Sequence, residues 1–299
     1  MTHPTPVPIG NRRVGWALAA GGMLLVSTDS YFVRLGEAPG ATMAFLMAVG
    51  SSFTLGIGAL ISARSGTALR QRVMLHPTAL ITIALLSAAT QLAFIVAVTR
   101  TSVSNVVIIV AGAPLMAAIA GAVVLNERPR KPVRIAIALT TIGIAAVMSG
   151  SLGTPRLDGD LLAVGAIVCF ALSIIGWRRY PDLDRPITLA AGSMVMAIGT
   201  APLVDWSALD ARAMIAGGIM GLIANPAGRM LYSSAPRYAP AAEVAVFAPV
   251  ETVAATLWAW IAFAEVPTGR TIVGGLIVIA SVVVATRGAS TVNRSASRG

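Results

Sequence analysis

The sequence is poor in the residues on which most site chemistry depends. Its 299 positions hold one cysteine, two histidines and one lysine, and only 11% of them are charged. A single Cys169, set inside an apolar run, excludes a disulfide framework and a thiolate metal site. His3 and His76 fall in a tail and a loop, so no apolar segment carries a histidine for zinc chemistry. The one lysine, Lys131, follows no glycine-rich loop, which excludes a Walker A site, and no G-x-S-x-G serine elbow occurs. Paired catalytic carboxylates on one loop and a channel-type filter sequence are also missing. An enzyme within the membrane is therefore disfavoured, and neither a cofactor nor a metal is expected.

Apolar residues fill the space, at 56% of the chain. Soluble domains carry roughly 25% charged residues, so 11% lies far outside their range. The charges cluster between apolar stretches long enough to cross a bilayer. Ten such spans are expected, near residues 14–35, 41–63, 78–99, 102–125, 133–150, 159–177, 186–204, 212–234, 239–263 and 268–287. The first follows a polar start and exceeds a signal-peptide core, so it is expected to be retained. The expected fold is an all-α polytopic membrane protein.

The formal charge of +10 has an explanation in topology. With the N-terminus inside, sixteen of the Arg and Lys residues fall in inside segments and five in outside ones, with Arg229 left within a span. Cytoplasmic loops are enriched in these residues, so both termini are expected in the cytoplasm. The basic excess then reads as orientation, and no nucleic-acid partner is expected.

A shift of 138 residues aligns the two halves of the chain. "TSVSNVVIIVAGAPLMAAIAGAVVLNERP" lies over "APAAEVAVFAPVETVAATLWAWIAFAEVP", with Glu127 on Glu265, Pro129 on Pro267 and Phe94 on Tyr232. Residues 1–150 and 151–299 thus read as two five-helix units, and an odd helix number makes the second enter from the opposite side. Inverted repeats of this kind are common in secondary transporters, which bind solutes near the midplane.

Ten spans in two inverted halves, each closing its fourth helix on a glutamate (Glu127-Arg128-Pro129 and Glu265-Val266-Pro267), resemble the drug/metabolite transporter superfamily, EamA type. "PLMAAIAGAVVLNE" is similar to that family's fourth-helix pattern. Within it, the chain resembles bacterial aromatic amino acid exporters of the inner membrane. The resemblance implies amino acid export by alternating access, in a chain that needs no second copy; its partners are a small solute and the lipid bilayer. Other solutes of the superfamily, a sugar derivative or an organic cation, are the alternative. Two departures stand out: Thr252 replaces the proline matching Pro114, with Pro249 one turn earlier, and Val26-Ser27 stands where the family often has Trp-Gly.

Ionisable groups at bilayer depth cost several kcal/mol, so each needs a partner, a cavity or a task. Those within the expected spans are Asp29, Arg229, Glu243 and Glu251. Glu243 lies near the cytoplasmic start of span 9 and Arg229 near the cytoplasmic end of span 8. An ion pair closing the inner side is expected, although an acid in a first helical turn also stabilises the N-terminus. The repeat mates, Gln91 and Asn105, form a neutral counterpart near the outer side. At helical spacing, Phe247, Glu251 and Trp258 share a face with Glu243, and Phe94 joins Gln91 on span 3 as Tyr232 joins Arg229 on span 8. Together they are expected to line a cavity with aromatic walls and a few polar points. Ordinary packing with Glu251 hydrogen-bonded is the competing reading. Asp29, in "VSTDSYF", would meet a solute ammonium or a proton, or else pair with Arg34.

Overall fold

A computed structural model describes residues 11–63, 66–101, 106, 109–110, 112–148, 157–264, 266 and 269–287. Among them every regular element is helical. The first expected span is two helices, α1 (Arg12–Val26) and α2 (Thr28–Gly36), separated at Ser27. Then come α3 (Gly40–Ala63), a short exposed α4 (Gly66–Leu75) that no hydrophobic pattern announces, and α5 (Pro77–Arg100). They are followed by α6 (Ala113–Val124), α7 (Lys131–Met148), α8 (Leu157–Arg179) and α9 (Arg185–Thr200). The eighth expected span divides into α10 (Ala211–Ile219), a π-helical segment Met220–Ala224 and α11 (Asn225–Ser234). The ninth divides into α12 (Ala241–Ala245) and α13 (Ala248–Phe263), and α14 (Gly269–Arg287) ends the fold.

Local chemistry sets these ends. Asn11, Asp184 and Asp210 each accept a backbone N–H at the start of a helix, relieving one of its unpaired donors. Proline stands in the first two positions of α5, α6, α9, α11 and α13, and at the free starts of α5 and α9 its missing N–H costs nothing. Beyond α6 and at the end of α13, Asn126 (φ 55°) and Ala264 (φ 56°) take the left-handed conformation. These two lie 138 positions apart, the repeat spacing.

Five helical stretches are long and apolar enough to cross a membrane: Gly40–Ala63, Pro77–Ala97, Leu157–Arg179, Arg185–Leu203 and Ala241–Phe263. Breaks at Ser27 and at the π segment leave the first and eighth expected spans in shorter pieces. The packing pairs α5 with α8, α1 with α11, α3 with α9, and α7 with α14. Four glycines let two of the crossings close. A Cβ on Gly22 would lie 2.8 Å from the Gly228 carbonyl, and one on Gly221 would lie 2.9 Å from the carbonyls of Leu46 and Met47. Gly50 and Gly221 meet backbone to backbone, which draws the π segment onto α3.

That contact generates a prediction. Backbone cannot retreat as a flexible side chain can, so Gly221→Val should cost about 1–3 kcal/mol. Gly218, with open space around its Cβ position, should accept alanine with little change. Thermal unfolding of the two variants in detergent provides the comparison.

Candidate functional site

A cavity of about 1100 Å³ lies among the helices. Its lining runs from exposed Gly40, Arg100 and Leu203 at one end to buried Trp177, Tyr232 and Ser233 at the other. It therefore has a mouth and a floor. Asp29 (α2), Gln91 and Phe94 (α5), Arg229 and Tyr232 (α11) and Glu251 (α13) all line it. Six residues singled out by spacing thus share one chamber, and Phe170 of α8 stacks on Tyr232 with ring centres 6.0 Å apart.

The charged groups of this chamber are sparsely partnered. Asp29 Oδ2 accepts a 2.6 Å bond from Asn225 Nδ2, while its Oδ1 is buried with no hydrogen-bond partner. Arg229 Nη1 donates to Ser193 Oγ at 3.0 Å. Glu251 makes no hydrogen bond or ion pair among the described residues. Asp29 lies close enough to Arg229 and Glu251 to feel both charges. Two acids, Asp29 and Glu251, and two guanidiniums, Arg229 within and Arg100 at the mouth, are the ionisable groups of the lining. Asp29 does not take Arg34 as its ion partner; the Arg34 guanidinium sits 4.7 Å from the centre of the Phe263 ring.

Beneath the floor the chain is closed in two layers. The upper is apolar: Met23, Ile174, Tyr232, Val244, Ala245 and Phe247 form one buried cluster. The lower is rich in arginine. Glu243, 3% exposed, accepts Arg12 Nη1 at 3.2 Å, Arg130 Nη2 at 2.8 Å and Nε at 3.0 Å, and Trp16 Nε1 at 3.1 Å. Fully buried Arg178 donates to Glu127 Oε1 and to the Pro236 carbonyl, each at 3.0 Å. Arg185 lies over the Trp177 ring and donates to the Ser233 carbonyl. At the mouth, by contrast, the pairs Arg100–Asp158 and Arg212–Glu37 are half or more exposed. Exposed pairs contribute little, so the mouth is held far more weakly than the floor.

Three expectations need correction. Glu243 does not pair with Arg229. Glu243 lies in the arginine layer, where Arg12 and Arg130 reach it, and Arg229 lies above the apolar layer on the chamber wall. Phe247 is 4% exposed within the apolar layer, below the chamber. Trp258 donates from Nε1 to Ser27 Oγ at 2.9 Å and is not part of the lining. A single wheel over 239–263 assumes a continuous helix, and the interruption between α12 and α13 resets its phase at Phe247; Trp258 lies two turns beyond Glu251 on α13, where Ser27 takes its N–H. Asn105 lies outside the described residues, as do Glu265 and Pro267.

Helical spacing puts Asn225 on the stripe of Arg229 and Tyr232, whereas nothing in the sequence points to Ser51 or Ser193. Asn225 also precedes a proline within a span. The arginines of the floor were read as a topology signal; Arg178 and Arg185 are structural as well.

The Glu243 cluster sets an expectation for stability. Removing a buried acceptor of four donated bonds leaves guanidinium and indole donors unpaired, so Glu243→Ala should cost about 1–3 kcal/mol. Reversing Glu243→Arg with Arg130→Glu should recover part of the loss, whereas pairing it with Arg229→Glu should not. Thermal unfolding of the three variants distinguishes the two partners.

Comparison with curated proteins finds no match. A solved crystal structure, described only as that of a protein, is 16% identical and has a TM-score of 0.80 over 94% of this chain and 99% of that one. At that identity the likeness shows a shared fold. The sequence profile of the EamA-like transporter family matches residues 13–149 and again 157–287. With nearly all of its length matched, the chain belongs to the EamA-like transporter family, multi-pass membrane proteins that move small solutes.

Proposed function

We propose that this transporter exports amino acids, aromatic and others, across the cytoplasmic membrane by alternating access through the central chamber. The observation that carries this reading is the contrast between its two sets of charges. Glu243 and Arg178 are engaged by several partners each, while Asp29, Arg229 and Glu251 face the chamber with one partner or none. An ionised group kept at bilayer depth without a protein partner is where a solute would supply one. An amino acid offers a carboxylate for Arg229 and an ammonium for the acids, and Phe94, Phe170 and Tyr232 offer apolar wall to its side chain.

The fold is read as ten spans in two inverted repeats, residues 1–150 and 151–299, with both termini cytoplasmic in a bacterial inner membrane. The arginine-rich floor then faces the cytoplasm and the mouth faces outward. Packing supports the repeat, since α5 against α8 has its shifted mate in α11 against α1, while α3–α9 and α7–α14 are their own mates. The closed floor acts as the inner gate, with Glu243 as its hub and Arg12 and Arg130 in the part first assigned to Arg229. One copy suffices, because the chamber lies within a single chain.

Asp29 and Glu251 on the chamber wall also suit an organic cation lacking a carboxylate. Counterflow in proteoliposomes, with radiolabelled amino acids, amines and sugars and with or without a pH gradient, separates these solutes. Exchange of amino acids is expected, with Arg229→Gln raising their KM about tenfold and leaving any amine unaffected. Exchange of sugars alone would refute the proposal.

A further inference from the structure

The π segment of residues 220–224 stands behind the chamber wall, and nothing in a transport pathway requires a helix to widen there. Its hydrogen bonds give it a task. Pro226 has no N–H for the carbonyl four residues earlier, Leu222, and the Thr54 hydroxyl donates to that carbonyl at 3.0 Å. One turn away on α3, the Ser51 hydroxyl lies 3.1 Å from the Gly221 carbonyl and 3.3 Å from Asn225 Oδ1, and shares its proton between them. Ser51 thereby turns the amide so that Nδ2 faces Asp29 Oδ2 at 2.6 Å. The result is a chain of contacts from α3 through the π segment to one carboxylate oxygen.

Asp29 is held from its own side as well. It lies in the first turn of α2, directly after the break at Ser27. The Ser27 hydroxyl donates to the Leu24 carbonyl at 2.6 Å and accepts from Trp258 at 2.9 Å, which fixes the break against α13. With Oδ2 occupied, Oδ1 is left as a buried acceptor without a donor, in a residue that lines the chamber.

We infer that Ser51, Thr54 and Asn225 are positioning residues, which hold Asp29 so that Oδ1 is a vacant, preoriented acceptor for the primary ammonium group of the solute. The inference rests on the transport reading above and goes further by naming the contact that selects the solute. A carboxylate oxygen binds a charged N–H donor more strongly than a neutral hydroxyl. Near it lie the charges of Glu251, which adds to the pull on a cation, and Arg229, which can take the carboxylate of the same solute. Glu251 has no fixed partner and so lacks the preorientation of Asp29. Preorganisation of this kind lowers the cost of binding.

The test compares an amino acid with the 2-hydroxy acid that carries a hydroxyl in place of its ammonium. Phenylalanine and phenyllactate make a suitable pair, as competitors of phenylalanine counterflow in proteoliposomes. The wild type should prefer the amino acid by about tenfold or more. Asn225→Ala and Thr54→Val should reduce that preference toward unity and raise KM with little change in kcat. Thr54→Ser, which keeps the hydroxyl, should restore it. A second measurement needs no variant: carbodiimide modification of Asp29, followed by peptide mass spectrometry, should be slowed by phenylalanine and not by phenyllactate. Equal competition by the two solutes, or modification of Asp29 that phenylalanine fails to slow, would overturn the inference while leaving amino acid transport intact. Absence of any amino acid counterflow would instead remove the transport reading, and this site with it.

Discussion

In hydrocarbon, an ionised side chain and an interrupted backbone share one requirement: each needs a polar partner that the lipid does not provide. This protein meets both needs in the same places. The first, eighth and ninth expected spans are interrupted at Ser27, at residues 220–224 and between α12 and α13. Asp29, Asn225 and Glu251 each lie in the first turn after an interruption. The start of a helix presents unpaired N–H groups and partial positive charge, an environment that suits a carboxylate. Hydroxyls of α3 take up the carbonyls that Pro226 and the π segment release. The carbonyls freed at Gly221 and Leu222 therefore meet protein hydroxyls.

The same requirement divides the charges into two populations. At the floor, arginines hold Glu243 and one oxygen of Glu127 and cap the carbonyls of Pro236 and Ser233. Such a layer joins the sequence halves, because Glu243 comes from the second and both of its guanidinium partners from the first. In the chamber the groups are held by at most one neighbour. A gate needs the first arrangement and a binding site the second. The two are separated by an apolar layer that includes Phe247 and Tyr232.

Much of this was legible in the chain. Apolar length located the five crossing helices to within a few residues, since Gly40–Ala63 or Leu157–Arg179 need only be continuous and apolar. Helical spacing brought Gln91 beside Phe94 and Arg229 beside Tyr232, because α5 and α11 are regular where these residues stand. It failed where the helix did. Phe247 was placed on the face of Glu251 by a wheel that runs through a break, and the partner of Glu243 was sought on a neighbouring span when Arg12 and Arg130, outside the expected spans, lay nearer. Ser51, Thr54 and Ser193 gave no signal, since a lone hydroxyl in an apolar helix is ordinary. Their roles arise from which carbonyl or guanidinium the tertiary packing sets before them.

Transport as proposed requires a single chamber that opens at one end and is sealed at the arginine-rich end. Thiol accessibility measures this directly. With Cys169 replaced by alanine and one cysteine installed at Ala44, on the chamber wall, a membrane-impermeant maleimide is applied separately to each face of oriented vesicles. Labelling from the outer face alone is predicted in the wild-type background, with labelling from the cytoplasmic face gained when Glu243 is replaced by glutamine. Labelling from the cytoplasmic face while Glu243 is intact would contradict a seal at that end.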